Sequence, residues 1–315
     1  MEFYDGIDAV PADFGPSAVT VGKFDGIHLG HRGVFAQLCD RADAAGLVPT
    51  VVTFDRNPLS LFRPEKAPAP LVSPAQKAEM LTDAGIAVTV MLAFTPEFAA
   101  LSPEGFVRDV LVGTLRARLV LAGADFRFGE NGTGDLAALR GFGEQYGFAV
   151  ELIDDVVHDD AGAPRRISST WIRELLGEGR VREAGELLGR APVIRSVVVH
   201  GEQRGRELGY PTANLDPAIE GMLPADGVYA AWATVDGERY GAAVSIGNNP
   251  TFDGIPQHQV EAHLLDQKLD LYGKTLELAF VDRVRGMRKF PSADALASQM
   301  AADEHEIRGM LSQVE

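Results

Sequence analysis

The sequence predicts an α/β protein of two unlike parts: a parallel sheet with helical crossovers, then an antiparallel sheet or small barrel with a terminal helix. Three observations predict it. Strand-like and helix-like segments alternate from the start to about residue 186. After residue 190 the segments are short and β-rich, separated by Gly and Asn-Pro turns. The length, 315 residues, is that of two ordinary domains, each able to bury its own core.

Taken in order, the β-branched run at 18–21 reads as a strand and 32–45 as the helix after it. VPTVVTF at 48–54 is a second strand, 74–84 is helical and 88–94 is a third strand. A helix at 103–114 follows, then strands at 119–122 and 149–153. Strands that alternate with helices require crossovers, hence a parallel sheet whose ligand lies beyond the carboxyl ends of the strands. The charged, helical connector GEGRVREAGELLGRA at 177–191 carries the boundary, giving domains 1–186 and 187–315. Beyond it come β segments at 196–200, 227–235, 240–246, 260–265 and 275–280, and a helix from Ala293 to about Met310. No internal repeat relates the halves.

Composition narrows the function. A net charge of −16 opposes a nonspecific nucleic-acid surface, while leaving nucleotides as ligands of small anion sites. One cysteine, Cys39, excludes an intramolecular disulfide and a cysteine-rich metal site. The opening residues have no basic and apolar leader pattern, and no apolar run is long enough to cross a bilayer. The expectation is a cytoplasmic protein with small-molecule substrates and neither nucleic-acid nor membrane partners; an oligomer is not readable from one chain.

The most informative string is Gly22-Lys23-Phe24-Asp25-Gly26-Ile27-His28-Leu29-Gly30-His31, directly after the first strand. A strand, a glycine turn and a helix N-terminus make a phosphate site, because backbone N–H groups point outward and the dipole favours anions. His28 and His31 add donors, and positive charge when protonated, for charge developing on a phosphoryl group. Metal ligation by the pair is the weaker reading, since further ligands are wanting.

Two other strings carry chemistry. Ile167-Ser168-Ser169-Thr170-Trp171-Ile172-Arg173 places three hydroxyls at a helix start and an arginine one turn on. Alone this is a helix cap; beside the histidine turn it reads as a grip on the β- and γ-phosphates. Gly123-Ala124-Asp125-Phe126-Arg127-Phe128-Gly129 follows a strand, and its aromatics are either core or the wall of a pocket for a planar ring.

The ordered set resembles bacterial bifunctional riboflavin kinase/FAD synthetases. It comprises His-x-Gly-His, Thr53-Phe54-Asp55, 123–129 and 167–173, then Gly205-Arg206-Glu207-Leu208-Gly209-Tyr210-Pro211-Thr212-Ala213-Asn214 and Gly247-Asn248-Asn249-Pro250-Thr251-Phe252. Val260-Glu261-Ala262-His263 and Arg285-Gly286-Met287-Arg288-Lys289-Phe290 complete it. The likeness spans nearly the whole chain. It implies a Rossmann-like nucleotidyltransferase domain and a six-stranded riboflavin kinase-like β-barrel. It also implies two reactions: riboflavin is phosphorylated by ATP to FMN, and FMN is adenylylated by ATP to FAD with release of pyrophosphate.

By the same resemblance, His28 and His31 stabilise charge in adenylyl transfer, within a nucleotide site of Gly22, Phe24, Asp25, Gly26, Ser168, Ser169, Thr170 and Arg173. Asp25 is expected to order its turn more than to act chemically. Asp125, Phe126 and Phe128 face the flavin. In the kinase half Glu261 is the base. Gly201, Gly205, Gly209, Pro211, Thr212, Asn214 and Arg285 bind ATP and flavin, with Thr212 and Asn214 the Mg²⁺ ligands. Mg²⁺ is the implied cofactor, ATP the co-substrate, and riboflavin, FMN and FAD the flavin ligands.

Two positions depart from the pattern: Asn57 stands where many members carry His, and Ser196 where Gly is usual. Other signals fail. Gly273-Lys274-Thr275 lacks a Walker glycine at Lys268, and Gly141-Phe142-Gly143 lacks dinucleotide spacing. Class I aminoacyl-tRNA synthetases share the histidine string, but no Lys-Met-Ser-Lys-Ser-like segment is present. The rival readings are an adenylyltransferase with a silent flavin-binding barrel, and one acting on another phosphate-bearing substrate.

Overall fold

The computed structural model describes residues 1–153, 155–160, 162–201, 210–247 and 259–314, without the side chain of Asp160. The chain divides into two compact units, Met1–Ser168 and Ser169–Glu315.

In the first unit six parallel strands form one sheet in the order β1-β4-β3-β2-β5-β6. They are β1 (Glu2–Asp5), β2 (Ser17–Val21), β3 (Val48–Phe54), β4 (Val88–Leu92), β5 (Ala117–Gly123) and β6 (Ala149–Ile153). Helices cover both faces, so side chains one residue apart enter different cores. Ala18 of β2 and Val51 of β3 pack with Phe35, Leu38 and Leu81 on one face. Val19 and Val52 pack with Phe106, Leu111 and Leu139 on the other. The central strands therefore read as continuous apolar runs.

The expected helix at 103–114 starts as one α turn, Pro103–Gly105, and continues as a π-helix over Phe106–Thr114. Leu115 closes it with an N–H to the Val110 carbonyl, five residues back. Several elements of this unit are additions to the sequence reading. Strand β1 is four mostly exposed residues at an edge. The hairpin of β7 (Val157–Asp160) and β8 (Ala163–Arg166) is charged and lacks alternation. Helix Leu136–Tyr146 contains Gly141 and Gly143, which depress helix propensity; Gly143 is buried there.

The second unit opens with helices Ser169–Glu178 and Val181–Leu188, within the stretch read as a helical connector. A closed six-stranded antiparallel barrel follows, in the order β10-β13-β12-β11-β14-β9. Its strands are β9 (Val193–Val199), β10 (Ala213–Leu215), β11 (Gly227–Val235), β12 (Glu238–Gly247), β13 (Gln259–Leu264) and β14 (Thr275–Arg285). Three-residue β10, read from sequence only as a turn, closes the ring. Helix Ala293–Leu311 lies on the barrel, with Ile307 and Leu311 packed against Ala230 and Leu265. Among the described residues no helix is long and apolar enough to cross a membrane.

Candidate active sites

In the first unit the functional turn leaves the carboxyl end of β2 at Gly22, whose N–H donates to the Val52 carbonyl at 3.0 Å. The chain then bends back through left-handed backbone at Phe24 (φ 43°), Gly26 (φ 82°) and Ile27 (φ 40°). For bulky or β-branched residues this conformation is strained and persists only under strong packing. The packing is present: Ile27 is fully buried, and the buried Phe24 ring meets Phe35 edge-on at 4.9 Å and His31 at 5.2 Å. Phe24 thus belongs to the core beneath the turn. Asp25 secures the outer side, its Oδ1 accepting the Leu71 N–H at 2.9 Å.

The turn delivers His28 as the N-cap of helix Leu29–Ala45, with Nδ1 accepting the His31 N–H at 3.3 Å. An accepting Nδ1 leaves the proton of a neutral ring on Nε2. The two imidazoles stack with centroids 3.6 Å apart. Gly30 makes room for them, because a Cβ there would lie 3.0 Å from the His28 ring. His31 Nδ1 is buried without a hydrogen-bond partner among the described residues. Burial above all, then the proximity of His28, Lys77 and Arg166, holds its pKa well below the usual imidazole range. The ring is therefore a neutral donor or acceptor at pH 7, not a fixed cation.

Lys77 was not singled out from the sequence. It is buried on helix Pro74–Asp83, and Nζ donates to the Lys23 and Phe54 carbonyls, both at 3.0 Å, and to Thr53 Oγ1 at 3.4 Å. It ties the ends of β2 and β3 together under the turn. Desolvation lowers its pKa, while Asp25 and Asp55 oppose the shift. The available signal was a lysine four residues before Leu81, on the helix's buried face. In Thr53-Phe54-Asp55, Thr53 donates to the Lys23 carbonyl and Asp55 Oδ1 accepts the Phe94 N–H. Asn57 Oδ1 accepts the Leu59 N–H at 3.0 Å at the start of a short helix, Leu59–Phe62. That helix exposes Leu59 and Phe62, and Phe62 touches Phe94 edge-on at 6.3 Å. This aromatic wall just past β3 also escaped the sequence reading.

Asp125 follows β5 and accepts Arg166 Nη1 at 2.8 Å, while Arg166 Nε reaches Asp155 at 2.9 Å. The guanidinium holds the Asp125 carboxyl below its ordinary range. Phe126 stacks on Phe128 at 5.4 Å, and Phe128 is buried against Phe106 in the core. Ser168 is the last residue of this unit. Ser169 and Thr170 open the next helix, with Thr170 exposed and Arg173 half-buried beside the buried face of Trp171, Ile172, Leu175 and Leu176.

In the second unit β10 and β13 pair so that Asn214 stands opposite Glu261, and Ser245 of β12 flanks Glu261 on the other side. Thr212 Oγ1 donates to Glu261 Oε2 at 3.3 Å. Thr212, Asn214 and Glu261 are thus gathered at one place on the barrel wall. Gly201 serves this cluster sterically: a Cβ there would fall 2.3 Å from the Asn214 amide carbon. Pro211 is exposed, and its carbonyl faces His263 Nδ1 at 2.8 Å. The Ser196 hydroxyl, buried, donates to the Asp216 and Ala218 carbonyls, so the extra side chain is absorbed by the chain itself. Gly205 and Gly209, and the string 248–252, lie outside the described residues.

Arg285 sits at the end of β14, and Asp303 of the terminal helix holds it from Nε and Nη2, with contacts of 2.7–3.1 Å. Asp303 also accepts Gln299 Nε2 at 2.6 Å. The guanidinium carbons of Arg285 and Arg288 lie 5.5 and 4.8 Å from the Phe290 ring centre. No local pattern marks Asp303, whose partner is 18 residues away.

Each half of the chain is similar to a known family. Residues 10–171 match the FAD synthetase family model and residues 188–311 the riboflavin kinase model. The bifunctional riboflavin kinase/FMN adenylyltransferase of Escherichia coli (strain K12) is 37% identical over 287 residues, 91% of this chain and 90% of that one. Its namesake in Pseudomonas fluorescens is 34% identical over 310 residues, 98% of each chain. A crystal structure from Streptococcus pneumoniae titled macrolide-efflux protein superposes with a TM-score of 0.85 at 32% identity, covering 98% of this chain and 99% of that one. The chain belongs to the bifunctional riboflavin kinase/FMN adenylyltransferase family.

Proposed function

We propose that residues 1–186 carry out adenylyl transfer and residues 187–315 phosphorylation, through the side chains described above. The enzyme phosphorylates riboflavin to FMN with ATP, then adenylylates FMN to FAD with release of pyrophosphate. The observation that carries the assignment of roles is the convergence of Thr212, just before β10, with Asn214 of β10 and Glu261 of β13.

In phosphorylation the ribityl hydroxyl attacks the γ-phosphorus, its proton passes to Glu261, and ADP leaves. A carboxylate held by a neighbouring hydroxyl is a suitable base. Thr212 and Asn214 offer a hydroxyl and an amide oxygen, hard ligands that fit Mg²⁺ with the remaining positions left to phosphate and water. Bound there, Mg²⁺ supplies charge neutralisation on the ATP phosphates. Gly201 and Pro211 shape the same nucleotide site, and Arg285 contacts the flavin or its phosphate.

In adenylyl transfer an FMN phosphate oxygen attacks the α-phosphorus of ATP and pyrophosphate leaves, so no strong base is required. His28 and His31 act as hydrogen-bond donors toward the charge that develops. The turn of Gly22, Phe24, Asp25 and Gly26 holds them, and Ser168, Ser169, Thr170 and Arg173 grip the departing phosphates. Asp125 and Phe126 border the flavin, with Phe128 supporting them from the core. Exposed Phe62 offers a further face for the ring. We place the enzyme in the cytoplasm, on its single cysteine and nucleotide substrates.

The test is a time course with riboflavin, ATP and Mg²⁺, resolved by chromatography. FMN should appear first and then convert to FAD. FMN without FAD would remove the adenylyl assignment; FAD formed only from supplied FMN would remove the kinase assignment.

A further inference from the structure

We infer that His263 is a positioning residue of the phosphorylation site: by hydrogen-bonding the Pro211 carbonyl it fixes Thr212 against Glu261. The inference rests on the roles proposed for Thr212 and Glu261.

Along β13, Val260, Ala262 and Leu264 are buried inside the barrel, and Glu261 and His263 project from the other face. Two residues of a strand span about 7 Å, so both reach the same neighbouring segment. That segment is 210–214. The β10–β13 ladder pairs Asn214 with Glu261 and Ala213 with Ala262, and ends there. Continued by one step, the register sets Thr212 opposite His263. The ladder does not extend so far, and Pro211 has no N–H with which to prolong it.

The imidazole takes the place of the missing ladder bond. His263 Nδ1 lies 2.8 Å from the Pro211 carbonyl oxygen, which only accepts, so Nδ1 carries the proton. The Tyr210 ring meets the imidazole edge-on at 5.4 Å and 69°, steadying it from the same segment. Fixing the Pro211 carbonyl fixes the peptide that leads into Thr212, whose hydroxyl reaches Glu261 at 3.3 Å. At that length small shifts of the segment make or break the contact.

Four variants test this by steady-state formation of FMN plus FAD against ATP concentration: His263→Leu, His263→Asn, Thr212→Val and the His263→Leu/Thr212→Val pair. Asn carries its amide nitrogen where His carries Nδ1; Leu keeps bulk without a donor. His263→Leu should raise KM for ATP about tenfold, as expected for one lost hydrogen bond, with a smaller fall in kcat. His263→Asn should stay within about threefold of the wild type. The pair should be no worse than Thr212→Val alone. Hydrogen exchange should report faster amide exchange at 210–215 in His263→Leu and wild-type exchange in His263→Asn.

If Thr212→Val is silent, the role of Thr212 fails and the inference falls with it. If Thr212→Val is impaired while His263→Leu is silent, His263→Asn fails to rescue, or the two losses multiply, the inference alone is overturned. His263→Gln, whose amide lies one bond too far, replaces His263→Leu if that variant does not fold.

Discussion

His28 accepts the backbone N–H of His31 on Nδ1 while the two rings stack 3.6 Å apart, so one histidine caps the helix that presents the other. Cap and site are a single object. Replacing both by Ala should abolish conversion of FMN to FAD, since one lost donor to developing charge costs about 100-fold or more. Riboflavin phosphorylation should continue. Chromatography of reactions started from riboflavin and from FMN separates the two; equal loss of both activities would refute the division of labour.

The depressed pKa of His31 makes stability depend on pH in a definite direction. Unfolded, the ring takes a proton near pH 6.5; folded, burial and the nearby cations keep it neutral to lower pH. The unfolded state therefore binds more protons as pH falls below about 6.5, and the folded state loses stability there. Urea midpoints at pH 7.5 and 5.5 should differ more for the wild type than for His31→Gln. Equal differences would show that His31 does not titrate on unfolding.

Glu261→Gln keeps shape and loses the base. Turnover of riboflavin should fall by about 100- to 10,000-fold, the span of general-base contributions, while adenylylation of supplied FMN continues. A retained phosphorylation rate in an FMN-release assay would sink the assignment.

The Arg285–Asp303 pair is mostly buried, with side chains 18% and 5% exposed. Removing one partner leaves the other charge uncompensated, so Asp303→Ala should destabilise the protein by about 3–5 kcal/mol. Asp303→Ala with Arg285→Met should recover much of that in denaturant titrations. If the single variant unfolds like the wild type, the pair does not fasten the terminal helix.

Much of this molecule is visible in its sequence because local chemistry and tertiary need coincide. At β2 and β3, apolar runs give strands buried on both faces, and the glycine turn before His28 yields a capped helix. Glu261 and Asn214 came from motif likeness, and strand pairing sets them opposite each other. What was hidden depends on contacts distant along the chain. Lys77 meets carbonyls 23 and 54 residues away, and Asp303 an arginine 18 residues back. Phe24 and Phe128 have the look of ligand-facing aromatics, yet sheet geometry turns them into the core. Exposed Phe62 shows the converse: nothing local distinguishes it from a buried phenylalanine.

The two sheets differ in whether they have a border. The barrel's ladder returns on itself through three-residue β10, so among the described residues it has no edge strand. The parallel sheet stops at β1 on one side and β6 on the other. β1 is only four residues long, and Arg41 pairs with Glu151 of β6. Among the described residues a stray extended peptide seeking a template finds open sheet edges on the first unit, where brevity at one margin and charge at the other guard against self-assembly.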